Sequence, residues 1–205
     1  MLGWVSMCLV AVLGTCVLRT GAAARPGQDK QKDNPIDKIA AQDNLQLPQM
    51  AGKWYLLGVA SECNYLRENN FKLEGTTITL TAPSSPKAPL SVSTLRKLDL
   101  QCWDIRQEYQ TMKTTGRFLL KGRGASNNID IVIGETDYRS YAILYYQKRR
   151  KISVKLYGRS TEIPEDIIDK FEQSALNQKI TNDFIYYFPK YGFCESADEF
   201  HILHE

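Results

Sequence analysis

Histidine is nearly missing from this chain: 205 residues hold only His201 and His204, both in the terminal stretch FHILHE. A metal site built on that pair lacks the further ligands it would need. No serine, cysteine or threonine sits beside an evident base and orienting acid, so catalysis is not expected. No cofactor and no metal are expected either. Charge of one sign is scarce: 26 Lys and Arg against 23 Asp and Glu leave a net +3. That is too little for a field that holds phosphates, and nucleic acid is excluded as a partner. The single dense base cluster, QKRRK at 147–151, reads as a solvated turn between two apolar strands. No Asn-x-Ser/Thr triplet occurs, which excludes N-glycosylation. Beyond the first two dozen residues no apolar run approaches the ~20 residues that span a bilayer, and no direct membrane insertion is expected.

What is present begins with a leader. Residues 4–18 are almost wholly apolar and are followed by small residues with an Ala-x-Ala pattern at Ala22–Ala24. The spacing predicts a secretory signal peptide over 1–24. Its removal takes one base, Arg19, and no acid, bringing the net charge from +3 to about +2. Residues 25–44, RPGQDKQKDNPIDKIAAQDN, are polar and broken by Pro26 and Pro35. They read as a flexible N-terminal arm. The remainder, 45–205, reads as one β-rich domain.

Short β-rich runs are expected near 53–60, 73–82, 89–99, 101–111, 116–121, 128–134, 140–148 and 152–159. Turn signals such as APSSPKAP at 82–89 and GRGASNN at 122–128 separate them. The rhythm then changes at PEDIIDKFEQSALNQ. Pro164 with Glu165 and Asp166 marks a helix start, and Ile167, Ile168, Phe171 and Ala175 fall on one stripe. FIYYFP at 184–189 reads as a ninth strand. Alternation places Trp103, Ile105 and Tyr109 on one face of their strand, and Ile129, Ile131 and Ile133 on one face of theirs. In ISVKLY, Ile152, Val154 and Leu156 oppose Ser153, Lys155 and Tyr157. If the helix covers the aliphatic face, Tyr157 points inward.

Secretion makes disulfides the default fate of cysteine. Of 5 cysteines, Cys8 and Cys16 fall in the leader, leaving Cys63, Cys102 and Cys194. Three cannot all pair within one chain, so an intermolecular bond or a reactive thiol is expected.

Gly52-Lys53-Trp54 opens the first strand, Thr136-Asp137-Tyr138 joins the sixth to the seventh, and Arg159 ends the eighth just before the helix. This order resembles the lipocalin signature. The resemblance implies an all-β fold: an eight-stranded antiparallel up-and-down barrel, one C-terminal α-helix packed outside, and a short ninth strand. Trp54 would plug the closed end with Arg159 across its indole face, and Trp103, Ile105, Tyr109, Ile131 and Tyr157 would line the calyx wall.

Longer stretches, VSTLRKLDLQCW, RSYAILYY, SVKLYGRS and YYFPKYGFCESADEFHIL, are similar to a lipocalin subunit of the membrane attack complex of complement. By that resemblance Cys102 and Cys194 form the intrachain disulfide. Cys63 would bond an alpha chain of the same complement component, a beta chain would join non-covalently, and the subunit would be an accessory one in plasma. GKWYLLGVASECNYL is also similar to plasma lipocalins that carry an unpaired cysteine. That alternative implies a free reactive thiol, with or without a small lipophilic ligand.

Overall fold

The structure, a computed structural model, describes residues 34–85, 87–98 and 100–202; the leader expected over 1–24 lies outside them. Eight strands follow one another as antiparallel neighbours: β1 (Gly52–Ala60), β2 (Thr76–Thr81), β3 (Leu90–Leu98), β4 (Gln101–Thr111), β5 (Arg117–Leu120), β6 (Ile129–Thr136), β7 (Tyr141–Lys148) and β8 (Lys151–Gly158). β8 returns to pair with β1, and β4 with β5, so the sheet closes on itself. Closure removes the exposed edges an open sheet would leave.

Side-chain alternation then sorts the apolar residues into an interior and an exterior. Trp54, Leu56, Ile78, Leu80, Val92, Phe118, Ile131, Ile133, Leu144 and Tyr157 form the barrel core. Val154 and Leu156 face outward, under the helix α3 (Glu165–Asn177), with Ile167, Phe171 and Ala175 on its buried stripe. The inward direction expected for Tyr157 is what this packing produces. Phe171 has no exposed surface, and burying such a ring is worth about 2–3 kcal/mol. It sits against Gly58, where an added Cβ would lie 3.0 Å from the ring. The β1–β8 register slips between Leu56 and Gly58, so Leu57 is an extra outward residue that joins the helix side.

The expected ninth strand is present as β9 (Ile185–Tyr187), paired with the end of β1. A tenth, β10 (Glu199–Ile202), was not expected and runs parallel to β4. Two short helices also escaped the pattern: α1 (Leu47–Met50), just before β1, and α2 (Asn64–Asn69), in the loop after it.

Residues 34–44 correct the expectation of a flexible arm across 25–44. Ile36 and Ile39 are buried against Val132 on the outer wall, with Tyr145 and Ile152 packed beside them. Arg117 donates to the carbonyls of Ile36, Asp37 and Ile39, and the buried Gln147 accepts the Ile36 N–H at 2.9 Å. The polar composition of the segment hid two isoleucines spaced to fill one outer groove.

Candidate functional site

The closed end of the barrel explains why the signature residues occur together. Gly52 has φ +98, and a Cβ there would stand 3.2 Å from the Arg159 guanidinium. That guanidinium lies 3.8 Å from the centroid of the Trp54 ring. It also donates to the carbonyls of Lys53 (3.0 Å), Ala51 (2.9 Å), Gln49 (3.0 Å) and Tyr138 (3.2 Å). The Trp54 indole N–H is spent on the Met50 carbonyl at 2.8 Å. In the adjacent turn the Asp137 carboxylate accepts the N–H groups of Arg139, Ser140 and Tyr141. Partial burial opposes ionisation there, but these bonds and one from the Ser140 hydroxyl hold the carboxyl below its ordinary range. The Thr136 hydroxyl donates to the Tyr141 carbonyl at 2.7 Å. Arg159→Ala should therefore destabilise the fold by about 2–4 kcal/mol, measured by urea unfolding, because four carbonyls and an indole face lose their partner. Arg159→Lys should recover little of this, since a single ammonium cannot replace the guanidinium fork.

The opposite end is the open mouth, reached by the β1–β2, β3–β4, β5–β6 and β7–β8 connections. Cys63 lies in the first of these, exposed, and is a free cysteine. It holds the cap position of α2 and uses no side-chain cap bond. Its N–H donates to the Ser61 hydroxyl at 3.3 Å, and that hydroxyl pairs with Ser153 of β8 at 2.8 Å, anchoring the loop to the barrel wall. Tyr65 and Phe71, in the same loop, are 55% and 76% exposed. Arg67 lies 4.0 Å from Glu68, and the Lys72 ammonium lies over the Phe71 ring at 5.5 Å.

Cys102, at the start of β4, is bonded to Cys194, which is buried. The bridge brings the tail against β4, where the Asp198 N–H donates to the Cys102 carbonyl at 2.8 Å and its carboxylate accepts the Cys102 N–H at 2.9 Å.

Of the residues expected on the calyx wall, Tyr109, Ile131 and Tyr157 lie in the interior core. Trp103 and Ile105 continue the Tyr109 face toward the mouth and are half-buried. Three interior groups were missed: Tyr146, Lys155 and Arg96. The hydroxyls of Tyr146 and Tyr157 lie 3.5 Å apart, and Tyr146 also bonds Tyr109. Burial pushes Tyr109 up to about 12, with the bond to Tyr146 opposing it, and drives Tyr146 and Tyr157 upward as well. The Lys155 ammonium lies 4.1 Å from the centroid of the Tyr146 ring. Burial first, and then the Arg96 guanidinium, pull Lys155 from its ordinary 10.5 down to about 8. The shared parity of Lys155 and Tyr157 was the signal that could have found it.

This depression has a consequence for stability. Between about pH 8 and pH 10 the unfolded chain holds the Lys155 proton and the folded one does not, so stability should rise with pH across that window. Urea midpoints at pH 7.5 and 9.5 measure it, and Lys155→Met should flatten the difference.

Among the described residues no group of three or more His, Cys, Asp or Glu could hold a metal ion, and no helix is long and apolar enough to cross a membrane.

Comparison with known proteins places this architecture. The model of the lipocalin / cytosolic fatty-acid binding protein family matches residues 51–192. The complement component C8 gamma chain of Oryctolagus cuniculus is 41% identical over 95% of this chain and 96% of its own length. Protein AMBP of Bos taurus is 29% identical over 80% of this chain, which spans about half (47%) of that longer protein. The solved structure described as "The Siderocalin Ex-FABP functions through dual ligand specificities" matches with TM-score 0.60 at 20% identity, over 70% of this chain and 96% of that one. At that identity the likeness speaks for the fold alone. With a barrel closed by eight strands, an arginine stacked on the tryptophan of its first strand, and a family match across most of its length, the chain belongs to the lipocalin family.

Proposed function

We propose that this chain is a secreted subunit of the eighth complement component, disulfide-bonded through Cys63 to the alpha chain and associated non-covalently with the beta chain. As a lipocalin it is a binding protein and not an enzyme. Its role in the membrane attack complex is accessory. The single observation that carries this reading is the 41% identity to a C8 gamma chain across 95% of the sequence. The site adds physical support. With Cys102 bonded to Cys194, Cys63 is the one free cysteine among the described residues, and it is exposed at the mouth. Tyr65 and Phe71 offer apolar surface in the same loop, and large exposed rings of this kind are suited to a protein interface. The test is co-secretion with the alpha chain, followed by non-reducing electrophoresis. A covalent heterodimer that dissociates on reduction is expected; two separate monomers would refute the reading.

A second reading rests on the same exposed thiol. An alpha-1-microglobulin-like plasma lipocalin would keep Cys63 free and reactive, and could carry a small lipophile in the calyx. In the co-secretion experiment that protein would remain monomeric, with Cys63 titratable by a thiol reagent.

A further inference from the structure

Six bases stand on two neighbouring connections outside the barrel. Lys121 and Arg123 belong to the β5–β6 connection; Arg149 and Arg150 form the β7–β8 turn, with Lys148 and Lys151 at the strand ends beside it. All six are exposed. Register puts the two segments side by side: Leu120 pairs with Ile129, Ile129 with Lys148, and Lys148 with Lys151. No acid occurs in 121–128 or 147–151. Asp130, the acid on the strand between them, stands opposite Gln147 and bonds the Asn34 side chain, with Arg117 nearby. Among the described residues Lys121, Arg123, Lys148 and Lys151 form no ion pair with a carboxylate.

Two features hold these charges together. The first is Asn127, which spans both connections: its amide donates to the Arg123 carbonyl at 2.8 Å, and its side-chain oxygen accepts from Arg149 at 3.2 Å. The Asn128 side chain accepts the Gly122 N–H at 3.1 Å, and a Cβ on Gly122 would stand 2.5 Å from the Asn127 carbonyl oxygen. The loop therefore closes only around glycine. The second is the turn itself. Arg149 and Arg150 both have positive φ (49 and 67), the two-residue hairpin geometry that favours Asn-Gly. Arginine there works against the backbone, and four bases in succession repel one another. The fold gains nothing from either feature, whereas a surface that holds a polyanion needs the charge.

The chemistry of the patch narrows the anion. A surface that binds a bilayer inserts apolar groups beside its bases. A protein interface is anchored on buried aromatic or aliphatic side chains, and single-stranded nucleic acid stacks on aromatic rings. The segments 121–128 and 147–151 hold none of these; Ala125 is their one apolar side chain, and the rest are bases, amides, a serine and glycines. Such a surface reads its partner through charge and hydrogen bonds alone. We propose that the β5–β6 and β7–β8 connections together form a binding site for a sulfated polysaccharide. The guanidinium forks of Arg123, Arg149 and Arg150 meet sulfate oxygens, and Lys121, Lys148 and Lys151 act as point charges along the chain. Neither segment contains Cys63, Tyr65 or Phe71, so the site does not depend on which partner Cys63 bonds. QKRRK then has a role beyond a solvated turn.

The test titrates the full secreted chain with a heparin octasaccharide and with an unsulfated heparosan octasaccharide, alongside phosphatidylserine vesicles and hexaglutamate. At about 0.15 M NaCl the sulfated sugar should bind, about tenfold or more tighter than the unsulfated one. Its affinity should fall about fivefold or more between roughly 0.1 and 0.3 M salt, as displaced counterions oppose binding. Arg149→Asn with Arg150→Gly, which gives the turn its preferred dipeptide, should weaken binding about tenfold or more while the thermal midpoint stays level or rises. Lys113→Gln with Lys190→Gln, the same change in net charge outside the patch, should leave affinity within about twofold. Lys121→Gln with Arg123→Gln should weaken binding as the turn variant does, and carries the test should that variant fail to fold. Equal affinity for the two octasaccharides, binding unchanged in a folded patch variant, equal losses in the two charge-matched variants, or no binding of the sulfated sugar would overturn the proposal. Tighter binding to the vesicles or to hexaglutamate would overturn it as well, in favour of a bilayer or an acidic polypeptide.

Discussion

Replacing Cys102 and Cys194 together with serine should lower the unfolding free energy by about 4–5 kcal/mol and the thermal midpoint by roughly 10–15 °C. The two residues are 92 apart in sequence, so the bridge removes a long loop's worth of freedom from the unfolded chain. The double variant is preferable to a single one, because a lone Cys194 would leave a thiol inside buried surroundings. The loss should be concentrated where the bridge acts. β10 pairs only with β4, and the tail is tied to Cys102 by the two Asp198 hydrogen bonds, so amide exchange over 194–202 should accelerate well beyond that of β1 or β8. Calorimetry of the two proteins under non-reducing conditions measures the first effect. A fall of less than ~1 kcal/mol would mean that the unfolded chain already keeps its ends together.

Replacing Cys63 with serine should have the opposite profile, with complete loss of covalent linkage to a partner and almost no change in the barrel. The residue is exposed, and a substitution there is expected to move stability by no more than about 0.5 kcal/mol. Serine is also a favoured residue at the cap position that Cys63 occupies before α2, so the helix should not suffer. Any residual association would then report the non-covalent contacts alone, to which Tyr65 and Phe71 are the first candidates. Persistence of a disulfide-linked heterodimer in this variant would refute the assignment of Cys63.

Much of the barrel was readable because its strands obey simple alternation. The Ile152, Val154, Leu156 face of β8 pointed to cover by a helix, and α3 lies over the latter two. The helix itself was announced by Pro164, Glu165 and Asp166, and Pro164 proves to be the residue before its first turn. What escaped depended on contacts distant in sequence. Ile36 and Ile39 sit in a polar run whose groove is built by β6, β7 and β8, about 90 to 115 residues later. β10 exists where the disulfide and Asp198 bring a tail alongside β4, which no local periodicity encodes. The slip after Leu56 shifts the phase of β1, so a strict two-residue period misassigns Leu57 or Val59. Among the site residues, the aromatics were visible as wall material. Arg96 and Lys155 were not, because a charge on a half-apolar strand reads as the solvated face, and only closure of the barrel turns that face inward.

The most direct test of the central claim is electrophoresis of the native protein without and with reductant, with mass spectrometry of the peptide containing Cys63. The account predicts a larger disulfide-linked species that releases this chain on reduction and yields the Cys63 peptide joined to one from the complement alpha chain. A monomer with Cys63 free, or capped by a variety of small thiols, would contradict it.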